Sequence, residues 1–166
     1  MRILTAFCVA AIAANPALAV DDCLLGTWEA DLGALSQIMG RQMNGTATPV
    51  GGNVLMTITP DSMANMVVND LVLNVVVPNV PPMDVSVSGV SNGVFAGEAG
   101  SWSVVTATYT LVGSANVMGQ TMTIPFDSST GMFGGGAGSY TCDGSTLSFT
   151  SDTPDERIPP RWSRAG

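Results

Sequence analysis

Histidine and lysine are both absent from this 166-residue chain. Without histidine there is no Ser-His-Asp or Cys-His arrangement, no imidazole general base and no histidine-ligated zinc. Without lysine there is no Schiff-base amine, and the glycine-rich stretch 131–138 is not a phosphate loop, whose glycines must be followed by a lysine. Charge of either sign is scarce, at 11% of residues, and thirteen acids against five arginines leave a formal net charge of −8. Such a chain repels phosphate backbones and anionic bilayers, so no nucleic acid partner is expected. Catalysis would rest on carboxylates alone, with Glu29, Asp31 and the pair Asp155-Glu156 as the candidates. Acidic side chains are usually solvated surface, so the chain reads as non-catalytic and implies no cofactor. Asp152, Asp155 and Glu156 match no EF-hand spacing, and no metal is expected there.

Cysteine is also rare, with three in the chain. One of them, Cys8, falls in an N-terminal segment with the three parts of a secretory signal. Met1-Arg2 supplies the positive start, Ile3 to Ala14 the apolar run, and Ala17-Leu18-Ala19 the small residues of a cleavage site. The run is shorter than the roughly 20 residues that span a bilayer. Residues 1–19 are therefore read as a signal peptide, and 20–166 as one exported domain, periplasmic or extracellular. No later run is long enough for a transmembrane helix. Two cysteines remain, Cys23 and Cys142, and in an oxidising compartment they most simply pair with each other.

What the chain has in quantity is Val, Thr, Gly, Ser and Met, a composition of strands and turns. One segment reads as helix, Asp31 to Met43, with Asp31 as its cap and Leu32, Leu35, Ile38, Met39 and Met43 at helical spacing. A loop over Asn44–Asn53 follows, and then strands over 54–59, 66–77, 83–88, 94–98, 102–112 and 115–125, with a tight turn at Gly113-Ser114. Strands return over 138–142 and 146–150 around an Asp143-Gly144 turn, and Arg161–Arg164 closes the chain. The expected fold is all-β, an antiparallel barrel of about 8–10 strands with one short helix after the first strand. Closure removes edges that this low-charge chain has few residues to protect.

Particular residues carry a resemblance. Cys23-Leu24-Leu25-Gly26-Thr27-Trp28 contains the Gly-x-Trp motif that opens the first strand of lipocalins. Tyr140-Thr141-Cys142-Asp143-Gly144-Ser145-Thr146-Leu147 resembles the Tyr-x-Cys-x-Gly-x-x-Leu hairpin of secreted bacterial lipocalin-like proteins, and Trp162-Ser163-Arg164 resembles their last strand. The Thr-Asp-Tyr loop motif of true lipocalins is absent. The resemblance implies that Trp28 plugs the closed end of a barrel with Arg164 or Arg161 lying across its ring.

Nine methionines follow the signal-like segment. Met63-x-x-Met66 and Met118-x-x-x-Met122 lack a supporting histidine or free cysteine, which disfavours copper(I) and favours an adaptable apolar interior. Met56, Met66, Met118 and Met122 are the candidate lining of a cavity. The expected function is that of an exported binding protein for a small apolar ligand in or at the mouth of the barrel. The alternative is a structural or protein-interaction module of the cell envelope whose protein partner the sequence does not name.

Overall fold

A computed structural model describes residues 20–117, 119–129 and 131–166. The signal-like segment and Met118 lie outside the described residues. A single 3₁₀ turn, Asp22–Leu24, precedes β1 (Gly26–Ala30) and α1 (Leu32–Gln42). The long strands β2 (Thr46–Thr59), β3 (Met63–Val76) and β4 (Met83–Glu98) follow. Then come β5 (Ser101–Tyr109), β6 (Val112–Val117), β7 (Gln120–Pro125), β8 (Gly136–Cys142), β9 (Thr146–Ser151) and β10 (Arg161–Arg164).

All pairings between these strands are antiparallel, in the order β3-β2-β1-β10-β9-β8-β5-β4-β6-β7. The additional β3–β4 pairing closes eight of them into a barrel. The β6–β7 hairpin stays outside the ring, hydrogen bonded to the first half of β4. Strand direction separates two ends. The turns after β2, β4 and β8 are short and sit with Cys23 at one end, where the Cys23–Cys142 disulfide forms. Helix α1, the hairpin and the loops 126–135 and 151–160 gather at the other.

Strands β2, β3 and β4 outrun the ring at this second end. They leave it across a row of irregularities: bulges between Pro49 and Asn53 in β2 and between Val68 and Leu71 in β3, then Gly89 in β4. Each bulge bends its strand while returning alternate side chains to the same face. Hence Ala64, Met66 and Val68 below the bulge, and Leu71, Leu73 and Val75 above it, are all buried. Gly52 serves this bend directly, because at φ +86 a Cβ would lie 2.3 Å from the carbonyl oxygen of Asp70. Residues 44–53, expected as a loop for their glycines, are therefore mostly strand. The glycines mark the bulge instead of a chain reversal.

Two further boundaries differ from expectation. Segments 83–88 and 94–98 are one strand running through Gly89. Gly113-Ser114 is not a turn, for both residues pair with β4 and β7. The reversal comes after Val117, before Gln120, and the β5–β6 break falls at Thr110-Leu111, where Leu111 turns into the core. The helix begins as its cap predicts: the amide of Ala34 donates to Asp31 Oδ1 at 2.9 Å.

Side chains fill the interior. Trp28, Met56, Met66, Phe95, Trp102, Leu147, Phe149 and Trp162 belong to one continuous buried cluster that extends to Leu35, Ile38 and Met39 of the helix. Trp102 and Phe149 meet with ring centroids 5.1 Å apart, and Phe149 meets Phe95 at 6.4 Å.

Candidate functional site at the open end

At the disulfide end Trp28 is fully buried and its indole N–H donates to the carbonyl of Leu24 at 2.8 Å. The guanidinium of Arg164 lies over the indole, 4.2 Å from the ring centroid, and donates to the carbonyls of Gly144, Leu25 and Cys23. Of the two arginines expected there, Arg164 takes the place. Arg161 stands at the opposite end of β10 and pairs with Asp31 at 3.2 Å. At this end the indole N–H and the guanidinium both have hydrogen-bond partners.

The proposed lining methionines separate. Met56 and Met66 are cross-strand neighbours inside the packed core. Met122 is 56% exposed. It shares a face with the buried Ala115, as alternation predicts. But β7 lies outside the closed ring, at the edge of the sheet, and among the described residues no element covers Met122 there.

The open end is closed over by the loop 126–135. Tyr109 donates its hydroxyl to the carbonyl of Met132 at 2.8 Å, and Ser91 donates to that of Phe133 at 2.7 Å. The amide of Phe133 donates to the carbonyl of Arg157 at 2.6 Å, which ties this loop to 151–160. Phe133 is buried and has a φ of 62°, a left-handed conformation that a bulky residue holds only against strain. The space left among Met39, Leu71, Val87, Tyr109, Leu111, Phe126, Met132 and Phe133 is about 10 Å³, room for one water. Burial, aided by the charge of Asp127, pushes the Tyr109 phenol up to about 12. Asp127 itself is lowered by the hydroxyl and amide of Ser129.

A cleft lies beside this lid, where the wall of the ring opens. The β5–β8 ladder ends at Val104–Gly136, and beyond it the two strands part. The gap opens into a cleft of about 380 Å³ with Trp102, Val104, Val105 and Ile158 as apolar lining and Gly134, Gly135 and Gly136 bringing backbone to its surface. Its rim carries Ser128, Asp152, Asp155 and Arg157. Among the described residues Arg41 pairs with Glu156, Arg161 with Asp31, and Arg164 with backbone carbonyls, whereas the half-buried Arg157 guanidinium has no hydrogen bond or ion pair. Glu156 turns to Arg41, away from Asp152 and Asp155, and among the described residues no three acids, cysteines or histidines converge as for a metal ion.

Arg157 and Trp102 were not singled out from sequence as site residues. The available signal was an arginine within an otherwise acidic, proline-bearing stretch. Compared with known proteins, the chain matches no family model, no curated protein and no solved structure.

Proposed function

We propose that this protein is an exported, non-catalytic binding domain of lipocalin-like type. Its ligand is a small molecule with an apolar body and a single anionic group, held in the cleft beside the open end. The observation that carries this reading is the guanidinium of Arg157, without a partner among the described residues, on a 380 Å³ cleft lined by Val105, Ile158 and Trp102. That volume lies within the range of small-molecule sites, which combine apolar walls with a few polar groups. The ligand belongs beside the barrel rather than inside it, because core side chains occupy the interior. Asp152 and Asp155 on the same rim disfavour polyanions and select a ligand whose remainder is neutral or cationic.

The lipocalin-like reading draws on Gly26-Thr27-Trp28 opening the first strand and on Arg164 over the Trp28 ring. Export is supported by the disulfide, and by the lack among the described residues of a helix long and apolar enough to cross a membrane.

The test is titration with anilinonaphthalene sulfonate, an aromatic monoanion, followed by its own fluorescence and by tryptophan quenching. One probe is expected per chain, and Arg157→Gln is expected to weaken binding about tenfold or more, since hydrogen bonds to a charged group contribute roughly 1.5–3 kcal/mol. No saturable binding, or an affinity that Arg157→Gln leaves unchanged, overturns the assignment.

A further inference from the structure

The sheet extension above the ring has two edges that the closure does not remove. One is the first half of β2, which carries Pro49, Gly51 and Gly52, two bulges, and the adjacent helix α1. Those are the devices that ordinarily protect an edge from pairing. The other is β7, Gln-Thr-Met-Thr-Ile-Pro, which among the described residues pairs with β6 alone. It is regular, it carries no charge, and all its residues but Ile124 are exposed. From Ala99 to Phe126 the chain has no ionisable acid or base except Tyr109. In a protein of net charge −8, a strand without charge repels a second acidic copy less than a charged edge would.

We propose that β7 is a self-association edge, joining two copies through an antiparallel β7–β7 ladder centred on Met122. The register follows from the hairpin. Val117 pairs with Gln120, so alternation turns the backbone N–H and C=O of Thr121 and Thr123 toward the free side. Pairing two such edges about a two-fold axis sets Thr121 opposite Thr123 of the second copy, in both directions, with four backbone hydrogen bonds. Met122 then faces Met122 as a non-hydrogen-bonded pair, with Cα atoms about 4.5 Å apart. Threonine pairs across strands are favourable, and the thioether contact covers the exposed Met122 side chains. Pro125, the next outward position, has no N–H and ends the ladder there. A symmetric edge-to-edge contact of this kind is self-limiting, so it gives a dimer and no fibre.

Sedimentation and light scattering on the purified protein are expected to show a dimer that Thr123→Pro converts to monomer. Because β7 lies outside the ring, far-UV circular dichroism should report an intact barrel in that variant. Met122→Cys is expected to give an intermolecular disulfide under mild oxidation, since the predicted Cα separation suits one. Val50→Cys, at a position 62% exposed on β2, serves as the control and is expected not to cross-link. A protein that stays monomeric at all concentrations reached overturns the proposal. So does a dimer that survives Thr123→Pro, or one in which Val50→Cys cross-links as readily as Met122→Cys.

Discussion

Arg164 reaches across Gly26 to lie 4.2 Å above the centroid of Trp28. A Cβ at residue 26 would sit 2.5 Å from Arg164 Nη1, and φ there is +125°. The glycine of Gly-x-Trp is thus the gap through which the guanidinium passes. A cation over an indole contributes about 0.5–1 kcal/mol where the cation is exposed, as Arg164 is, and its hydrogen bonds to carbonyls add to that. Arg164→Ala is expected to lower unfolding stability by about 2–3 kcal/mol, and Gly26→Ala to lose much of the same amount by displacing the side chain. Arg161→Ala, which breaks only an exposed pair with Asp31, should change it by less than about 1 kcal/mol. Urea denaturation of the three variants tests the ranking.

The Cys23–Cys142 bridge spans a sequence separation of 119. In the chain-entropy account a loop of that length stabilises the fold by about 5 kcal/mol. The double variant Cys23→Ser/Cys142→Ser should therefore shift the denaturant midpoint strongly downward while leaving the strand signal of any folded fraction unchanged. An unmoved midpoint would show that the unfolded chain is already restrained in another way.

Phe133 holds a left-handed backbone while filling the open end. Truncation to Ala leaves the backbone strain in place and removes the buried ring, so Phe133→Ala is expected to cost roughly 3–5 kcal/mol. The cavity it leaves would join the space beside Met39 and Met132. Xenon or benzene should then bind inside the barrel in this variant, as heteronuclear NMR shifts at Leu71 and Val87 would report.

Stability should fall at both extremes of pH, for separate reasons. The carboxylate of Asp143 is held down to about 2 by hydrogen bonds from Thr146 first and Ser145 second, where it closes the β8–β9 turn. Its folded value lies below the unfolded one near 3.9. Its contribution is present above about pH 4 and is lost as pH falls toward 2. Asp127 acts in the same direction. At the alkaline end Tyr109 and Tyr140 are both raised to about 12, chiefly by burial. Their contribution is complete below pH 10 and is lost as pH rises to about 12. Thermal melts should show both slopes. Asp143→Asn should flatten the acid one, and the pair Tyr109→Phe/Tyr140→Phe the alkaline one.

Much of the ring could be read from local pattern. Asp31 caps a helix because its carboxylate can reach the amide of Ala34 wherever the fold places it. The Asp143-Gly144 turn is equally local. The strand alternation of β3 could be read on either side of its bulge, but the bulge itself could not. Gly51-Gly52 looks like a loop until Asp70 of the neighbouring strand is seen pressing against it. The misplaced turn at Gly113 has the same origin, since a Cβ there would lie 2.7 Å from the Phe126 ring.

The site was less legible than the fold. Met122 obeys its alternation yet lies in solvent, because period two sets which face a side chain takes and not whether anything covers that face. Arg157 stands out in sequence only as an arginine in an acidic stretch, and nothing there separates it by its pairing from Arg41 and Arg161. Its freedom depends on where Glu156 and Asp31 point, which is decided by residues more than a hundred positions away.

The sequence by itself determined the strand-rich composition, the helix and its cap, the expectation that Cys23 and Cys142 pair, and the exclusion of histidine and lysine chemistry. These follow from residue type and near-neighbour spacing. Only the tertiary structure decided that the interior is packed, that Arg164 and not Arg161 covers Trp28, that a cleft opens where β5 and β8 part, and that β7 is left as an edge. Each of these depends on contacts between segments distant along the chain, and the energies that set them belong to the closed ring and not to any one segment.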